Sequence, residues 1–285
     1  MIDSSQNAHP RGGPDDPRPW QTSRIRATLP HLATLQLRGP MKSDNYRTRI
    51  YGAYVTGRDK PLAPASLGGL GLRAHHLRKL IRKHFPPETD AAILDLGCGH
   101  GALLHFARTE GYTNIRGVDG SPEQVEAARA LGIEGVEPVD VMEALARQPR
   151  DSLDCVASVD LIEHFKRDEL LALVDEVYRV LRPGGRWIVH APNAESPFGM
   201  RILYGDFTHE LAFTRASVSQ LLLSSGFSRV HCFEDQPIPH GVRSLARWMI
   251  WKCIRVFLRL YIAAETGNDG RNAILTQNLL AVALK

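Results

Sequence analysis

Short apolar runs alternate with helix-like segments along the middle of this 285-residue chain. The runs are short enough to be buried strands and lie at residues 92–96, 114–119, 133–136, 153–159 and 186–191. The segments between them, such as 102–110 and 168–181, repeat their apolar residues at the helical period. This alternation is typical of a Rossmann-like, doubly wound α/β sheet of parallel strands. Apolar runs at 228–233 and 274–284 predict two further strands.

A glycine-rich turn follows the first predicted strand, where Gly97, Gly99 and Gly101 come in close succession. Glycine lets backbone approach a ligand closely and makes left-handed dihedrals accessible, so such a turn commonly holds a nucleotide-like cofactor. The pattern from Gly97 to Ala102 also satisfies the dinucleotide fingerprint. Asp119, at the end of the second strand, is placed to accept ribose hydroxyls in either kind of site. At this point a nicotinamide-dependent reductase and other nucleotide-cofactor enzymes both remain open.

Three features separate these alternatives. Gly101 follows Gly99 after one residue rather than two, Asp95 lies inside the first strand, and the turn Leu-Arg-Pro-Gly-Gly at 181–185 precedes a strand. Together they resemble the class I S-adenosylmethionine-dependent methyltransferases of the type 11 group, over residues 90–236 and the final strand. The resemblance implies a seven-stranded sheet whose last strand is antiparallel, with S-adenosylmethionine as cofactor.

The same resemblance implies roles for individual residues. The three glycines would border the methionine moiety and Asp95 would order its ammonium group, while Asp119 would bind the ribose. The remaining predicted cofactor contacts are Asp140 and Val141 at the adenine, and Ser158 with its neighbour Val159 beneath the methionine. Asp140 has an alternative role, because it also stands where a helix N-cap is expected.

Methyl transfer to a hydroxyl requires positioning and a base. His209 is the preferred base and His164 the second candidate; each follows a predicted strand, at the sheet edge where ligands bind. A structural, hydrogen-bonding histidine is the alternative for both. No N-P-P-Y sequence follows the fourth strand, where Ser158 begins Ser-Val-Asp-Leu instead, so methylation of a nucleic-acid base is not expected and nucleic acid is not a predicted partner.

We therefore expect an O-methyltransferase acting on a small-molecule, glycan or lipid-linked acceptor. The residues from 196 to 214 resemble type 11 enzymes associated with bacterial envelope glycans. The rival hypotheses are a nicotinamide-dependent reductase and a non-catalytic adenosylmethionine-binding module. The four scattered cysteines form no pair with metal-ligand spacing, so no metal site is predicted and reduced thiols in the cytoplasm are expected.

Charge and composition divide the chain into parts. Residues 1–40 are rich in Pro, Gly and Arg and predict a disordered leader, 41–90 predict a helical cap, and 91–285 form the methyltransferase domain. An insertion at 236–272 contains a helix, residues 243–262, with five cations and no acid. Such a helix suits the surface of an anionic membrane, which would make the protein peripheral at the inner face. The alternative is a helix that covers the protein's own core or a second copy.

Overall fold

The structure is a computed structural model that describes residues 46, 50, 63–268 and 270–285. The predicted leader at 1–40 and the first part of the predicted cap lie outside these residues, so those domain boundaries stay predictions. Seven strands form one sheet. They are β1 (Ile93–Leu96), β2 (Ile115–Val118), β3 (Val136–Glu137), β4 (Leu153–Val159), β5 (Leu181–Pro192), β6 (Arg229–Glu234) and β7 (Asn278–Leu284).

The strand order is β3-β2-β1-β4-β5-β7-β6. Strands β1 to β5 are parallel, and β7 runs antiparallel to both β5 and β6. The predicted fold, with its antiparallel last strand, is confirmed. The chain order reverses between β1 and β4, and ligands bind at such a reversal beyond the carboxyl ends of the strands. Because β6 runs in the direction of the first five strands, its C-terminal end lies at the same edge.

Eight helices lie among the described residues from 63 onwards. They are α1 (Gly71–His84), α2 (Ala102–Thr109), α3 (Pro122–Ala130), α4 (Val141–Ala146), α5 (Arg167–Val180), α6 (Gly199–Leu203), α7 (Arg215–Ser224) and α8 (Val242–Thr266). Short 3-10 turns occur at Leu67–Leu70 and Ile162–His164. Helix α1 packs on the sheet through Leu77, Leu80 and Ile81, as its spacing predicts, although Leu72 is 93% exposed.

Two apolar clusters cover the two faces of the sheet. Alternate residues of β1 divide between them, with Ile93 in one cluster and Leu94 in the other. The central strands are buried on both faces, and Trp187 of β5 is fully enclosed. This core fixes the positions of the strand ends and of the loops that follow them.

The start of α3 has no side-chain cap. Pro122 occupies the first turn of α3, but Ser121 makes no side-chain cap hydrogen bond and its buried Oγ has no partner among the described residues. Gln124 does not complete a capping box, since its Oε1 lies 3.4 Å from Nδ1 of His100. The Gln124 side chain therefore contacts His100 in the glycine turn and does not cap α3.

The insertion between β6 and β7 contains the predicted helix, α8, which is longer than expected. Of its residues only Ser244 is buried. One side of α8 is half-buried against its own chain, at residues that include Trp251, Lys252 and Arg255. In the described part of the chain, no helix is both long enough and apolar enough to cross a bilayer.

Candidate functional site

The turn from β1 into α2 depends on glycine. Gly97 and Gly99 have φ values of +67° and +56°, in the left-handed region that other residues rarely adopt. A Cβ on Gly97 would also lie 2.7 Å from Cδ1 of Leu161. The backbone of this turn can therefore lie against a ligand in a way that residues with side chains would prevent.

Asp119 is bound to this turn. Its Oδ2 accepts a hydrogen bond from the Gly99 amide at 2.8 Å, and its Oδ1 accepts one from the Ser121 amide at 2.8 Å. Burial raises the pKa of Asp119, and these two amides oppose that shift. Each oxygen keeps further acceptor capacity, so the carboxylate is both fixed and able to bind a pair of hydroxyls.

Asp95 is buried in β1, and its Oδ1 has no hydrogen-bond partner among the described residues. Burial and the nearby charge of Asp119 raise its pKa well above the usual range. A buried carboxylate without a partner is costly, and a ligand's ammonium group would satisfy it. An adenosylmethionine ammonium, as the sequence resemblance implies, fits this position.

A cleft of about 980 Å³ joins these groups to the loops after β4 and β5. Eight of the ten predicted site residues line it: Asp95, Gly97, Gly99, Asp119, Asp140, Val141, His164 and His209. Asp140 also caps α4, because its Oδ1 accepts hydrogen bonds from the amides of Met142 and Glu143. The alternative of a helix cap is thus correct, and it does not remove Asp140 from the cleft.

Two residues predicted at the cofactor, Gly101 and Ser158, do not line this cleft. Gly101 is the N-cap residue of α2, and a Cβ there would meet Ile133 and Val136, on the core side of the turn. Ser158 is fully buried in β4, and its Oγ accepts a hydrogen bond from Trp187 Nε1 at 3.0 Å. Strand alternation points Ser158 into the core, whereas Val159, the other residue predicted at the methionine, lines the cleft.

His209 lies in the loop after α6, with a defined tautomer. Its Nδ1 is 3.0 Å from the carbonyl oxygen of Ile202. A carbonyl only accepts hydrogen bonds, so Nδ1 carries the proton and the neutral ring keeps Nε2 as an acceptor. The loop is tightened by Asp206, whose Oδ1 accepts from the Thr208 amide at 2.9 Å.

His164 packs edge to face on His209, with ring centroids 4.7 Å apart. Thr208 Oγ1 donates its proton to Asp206 Oδ1. Thr208 Oγ1 also lies 2.9 Å from His164 Nδ1 and therefore accepts a hydrogen bond from that nitrogen. Burial and then the charge of His209 lower the pKa of His164 to about 4. His164 is therefore neutral at pH 7 and a weak base.

Glu163 joins the two histidines. Its backbone oxygen accepts hydrogen bonds from the amides of Glu210 and Leu211, which ties the His209 loop to the end of β4. Its buried Oε2 has no partner in the described part of the chain, and burial and then Asp160 raise its pKa well above the usual range. One ligand atom of each of Glu163, His164 and His209 lies within 4.8 Å of the others, a spacing that would also admit a metal ion.

A polar chain at the far wall of the cleft joins residues that no sequence motif connects. Asp160 accepts from Arg73 at 3.1 Å and lies 2.5 Å from Nδ1 of His190. Asp235 lies 3.5 Å from Nε2 of His190 and 3.0 Å from Nδ1 of His76. These residues come from α1 and from the ends of β4, β5 and β6, so no local pattern could reveal their contact. The one local signal is Asp160, a charged residue directly after β4 with φ +57°.

The sequence of this chain is similar to that of known methyltransferases. Residues 93–185 match the family described as "Methyltransferase domain". A protein of Xylella fastidiosa called "Ubiquinone biosynthesis O-methyltransferase" is 33% identical over 161 residues, 53% of this chain and 62% of that protein. A protein of the same name from Idiomarina loihiensis is 31% identical over 134 residues, 46% of this chain and 51% of that protein. The matched part thus spans about half to three fifths of these curated relatives.

Solved structures share the fold. A SAM-dependent methyltransferase from Archaeoglobus fulgidus superposes with a TM-score of 0.58 at 22% identity, covering 85% of this chain and 100% of that one. Phosphoethanolamine N-methyltransferase 2 of Haemonchus contortus, in complex with S-adenosyl-L-methionine, gives 0.52 at 16%, covering 87% and 61%. Residues 93–185 thus match a methyltransferase domain family, and the chain shares its fold with these solved methyltransferases.

Proposed function

We propose that this protein transfers a methyl group from S-adenosylmethionine to a hydroxyl oxygen of its acceptor. The observation that carries the proposal is one cleft in which Asp95, Asp119 and the glycine turn lie together with Nε2 of His209. The names of the two relatives, both O-methyltransferases, support a hydroxyl acceptor of small size. Asp140 and Val141, at the start of α4, are proposed to meet the adenine.

The bound cofactor supplies a methyl group on a positively charged sulfur that leaves as a neutral thioether. The chain's own residues align the two reactants and remove one proton. The acceptor oxygen forms the new bond to carbon while the carbon–sulfur bond breaks and its electron pair stays on sulfur. The acceptor's proton goes to Nε2 of His209, whose Nδ1–H stays on the Ile202 carbonyl.

His209 is proposed as this base in preference to His164. A base works best when its pKa is near the operating pH, and the pKa of His164 is lowered to about 4. His164 instead packs on the His209 ring and limits its rotation. We assign His164 a positioning role beside the base.

The experiment is transfer of a tritiated methyl group from adenosylmethionine to cell-envelope extract by the full chain. We expect label in an extractable acceptor and an equal amount of adenosylhomocysteine. Asp119→Ala should abolish both at low cofactor concentration. Binding of adenosylmethionine without turnover on any extract would contradict the enzymatic proposal and favour a non-catalytic binding module.

We further propose that the acceptor is linked to a lipid or a membrane glycan and that α8 docks the protein on an anionic membrane. The outward side of α8 carries exposed apolar residues along its whole length. The most exposed are Val242, Ile250, Val256, Phe257, Leu260 and Tyr261. A contiguous exposed apolar patch of this kind marks an interaction surface.

Charge favours a lipid surface over a second copy as the partner. Arg243 and Arg247 are exposed at the start of α8, where they can reach anionic headgroups. Lys252 and Arg255 face the protein instead, and Arg255 pairs with Glu234 at 2.7 Å. Of the five cations predicted to meet headgroups, Arg243 and Arg247 are exposed. The outward surface of the helix is mainly apolar.

Sedimentation with phosphatidylglycerol vesicles tests this docking. Phe257→Asp with Leu260→Asp should abolish sedimentation, and Arg243→Glu with Arg247→Glu should weaken it strongly at low salt. Leu171→Asp with Leu223→Asp is the matched control, because both side chains are exposed on other helices. A second outcome is that the wild type does not sediment with vesicles but forms a dimer, and that the Phe257/Leu260 variant is monomeric. That outcome would assign the surface to a second copy.

A further inference from the structure

A second groove, of about 590 Å³, adjoins the cleft on the side of β5 and β6. Arg73, Leu77, Val159, Asp160 and Asn278 line both spaces, so the two are neighbours across one wall. The wall is the polar chain from Arg73 through Asp160 to His190. A ligand reaching from the groove would approach the cleft beside the end of β4.

Cations outnumber acids around this groove. Six Lys and Arg side chains from several elements line it: Arg73, Lys79, Lys83, Arg215, Arg255 and Arg271. The acids that line it are Asp160, Glu234 and Asp235. Each acid is already engaged, Asp160 by Arg73 and His190, Glu234 by Arg255, and Asp235 by His76 and His190. The acids that are described around the groove therefore do not balance its positive charge.

The positive charge without a described partner is concentrated at Lys79 and Lys83. They lie one turn apart on α1, and neither has a hydrogen bond or an ion pair with any residue that the structure describes. The neighbouring arginines of the same helix, Arg78 and Arg82, pair with Glu110. Burial lowers the pKa of Lys79, the charge of Asp235 opposes that shift, and the charges of Lys83 and Lys252 add to it. An anion between these ammonium groups would relieve that repulsion.

We propose that this groove binds an anionic group, a phosphate or a carboxylate, of the methyl acceptor, with Lys79 and Lys83 as its principal contacts. The identity of the ligand rests on the proposed methyl transfer. The existence of the anion site does not depend on it. It gives the acceptor a chemical class: a molecule with an anionic group at one end and a hydroxyl that reaches His209 at the other. Lys79 and Lys83 thus determine specificity and take no part in the chemical step.

Calorimetric titration of the full chain with inorganic pyrophosphate tests the site, with adenosylhomocysteine present to fill the cofactor cleft. We expect one binding site, weakened at least tenfold in Lys79→Ala with Lys83→Ala and restored in Lys79→Arg with Lys83→Arg. Arg129→Ala with Arg147→Ala is the control of equal charge change on other exposed helices. Thermal unfolding shows whether each variant is folded.

Two results would overturn the proposal. One is a wild type that does not bind pyrophosphate, or an alanine variant that binds it as well as the control does. The other is an alanine variant that binds pyrophosphate normally but no longer sediments with phosphatidylglycerol vesicles. That result would assign both lysines to lipid headgroups. Because turnover is not measured, failure here is distinct from failure of the proposed methyl transfer. Once an acceptor is found, the alanine variant should raise its KM and leave kcat within about twofold.

Discussion

Nδ1 of His190 lies 2.5 Å from Oδ1 of Asp160, at the wall between the cofactor cleft and the cationic groove. Burial opposes protonation of His190, but the carboxylates of Asp160 and Asp235 outweigh it and raise its pKa to about 10. His190 is therefore an imidazolium at neutral pH, held between two carboxylates. It fixes the loops after β4 and β6 to the end of β5.

This pair predicts a pH dependence of stability. The pKa of His190 is higher in the folded than in the unfolded chain, so its contribution is complete below about pH 6.5 and is lost as pH rises through about 10. His190→Gln should lower the free energy of unfolding at pH 7 by about 1–3 kcal/mol, less than for a fully buried pair because Asp160 is partly exposed. Denaturant unfolding at pH 7, 9 and 10.5 should show the difference shrink as pH rises. A difference that stays constant across this range would contradict the assignment.

Asp119 should carry much of the cofactor's affinity. Asp119→Ala removes a carboxylate that can accept two ribose hydroxyls, and we expect adenosylmethionine binding to weaken by about 2–3 kcal/mol. Calorimetry on the folded variant measures the change. Asp140→Ala is the comparison, since it removes a helix cap at the other end of the cleft and should cost less affinity. An unchanged dissociation constant for the Asp119 variant would reject its role.

His209 should affect the chemical step and not cofactor binding. If its Nε2 takes the acceptor's proton, His209→Ala should reduce kcat by about 10²–10⁴-fold with cofactor affinity retained. His231→Ala, at an exposed position on β6, is the control. A loss of about threefold or less would give His209 a structural role and make His164 the candidate instead.

Chelation distinguishes a base from a metal ligand in the cluster of Glu163, His164 and His209. Burial raises the pKa of Glu163 and lowers that of His164, so without a bound cation both side chains favour their uncharged forms. We expect methyl transfer to be unchanged after treatment with EDTA. Loss of activity that zinc, manganese or magnesium restores would instead make these three groups metal ligands and contradict the role of His209 as base.

The sequence predicted the parts of this fold that depend on local patterns. The alternation of β1 to β5 with helices, the glycine turn at Gly97 and the carboxylates at Asp95 and Asp119 all follow from residue spacing near a strand end. Helix α8 was predicted for the same reason, as a long apolar and basic run. What the sequence could not supply was which side of α8 faces the protein, because that depends on Glu234 and on the groove.

The contacts that could not be predicted also depend on packing between elements. The family resemblance places Ser158 beneath the methionine, but the pleat directs its side chain to Trp187 in the core. The network of Asp160, His190 and Asp235 joins residues that are far apart in the chain and carry no shared motif. Such contacts exist only once the sheet has brought the strand ends together.

Calorimetric titration of the full chain shows whether the cleft holds adenosylmethionine. The titrants are adenosylmethionine, adenosylhomocysteine, NADH and NADPH. We expect one site for each of the first two, weakened by Asp119→Ala, and no binding of either nicotinamide dinucleotide. Binding of NADH or NADPH in place of adenosylmethionine, or binding of neither class, would contradict this expectation.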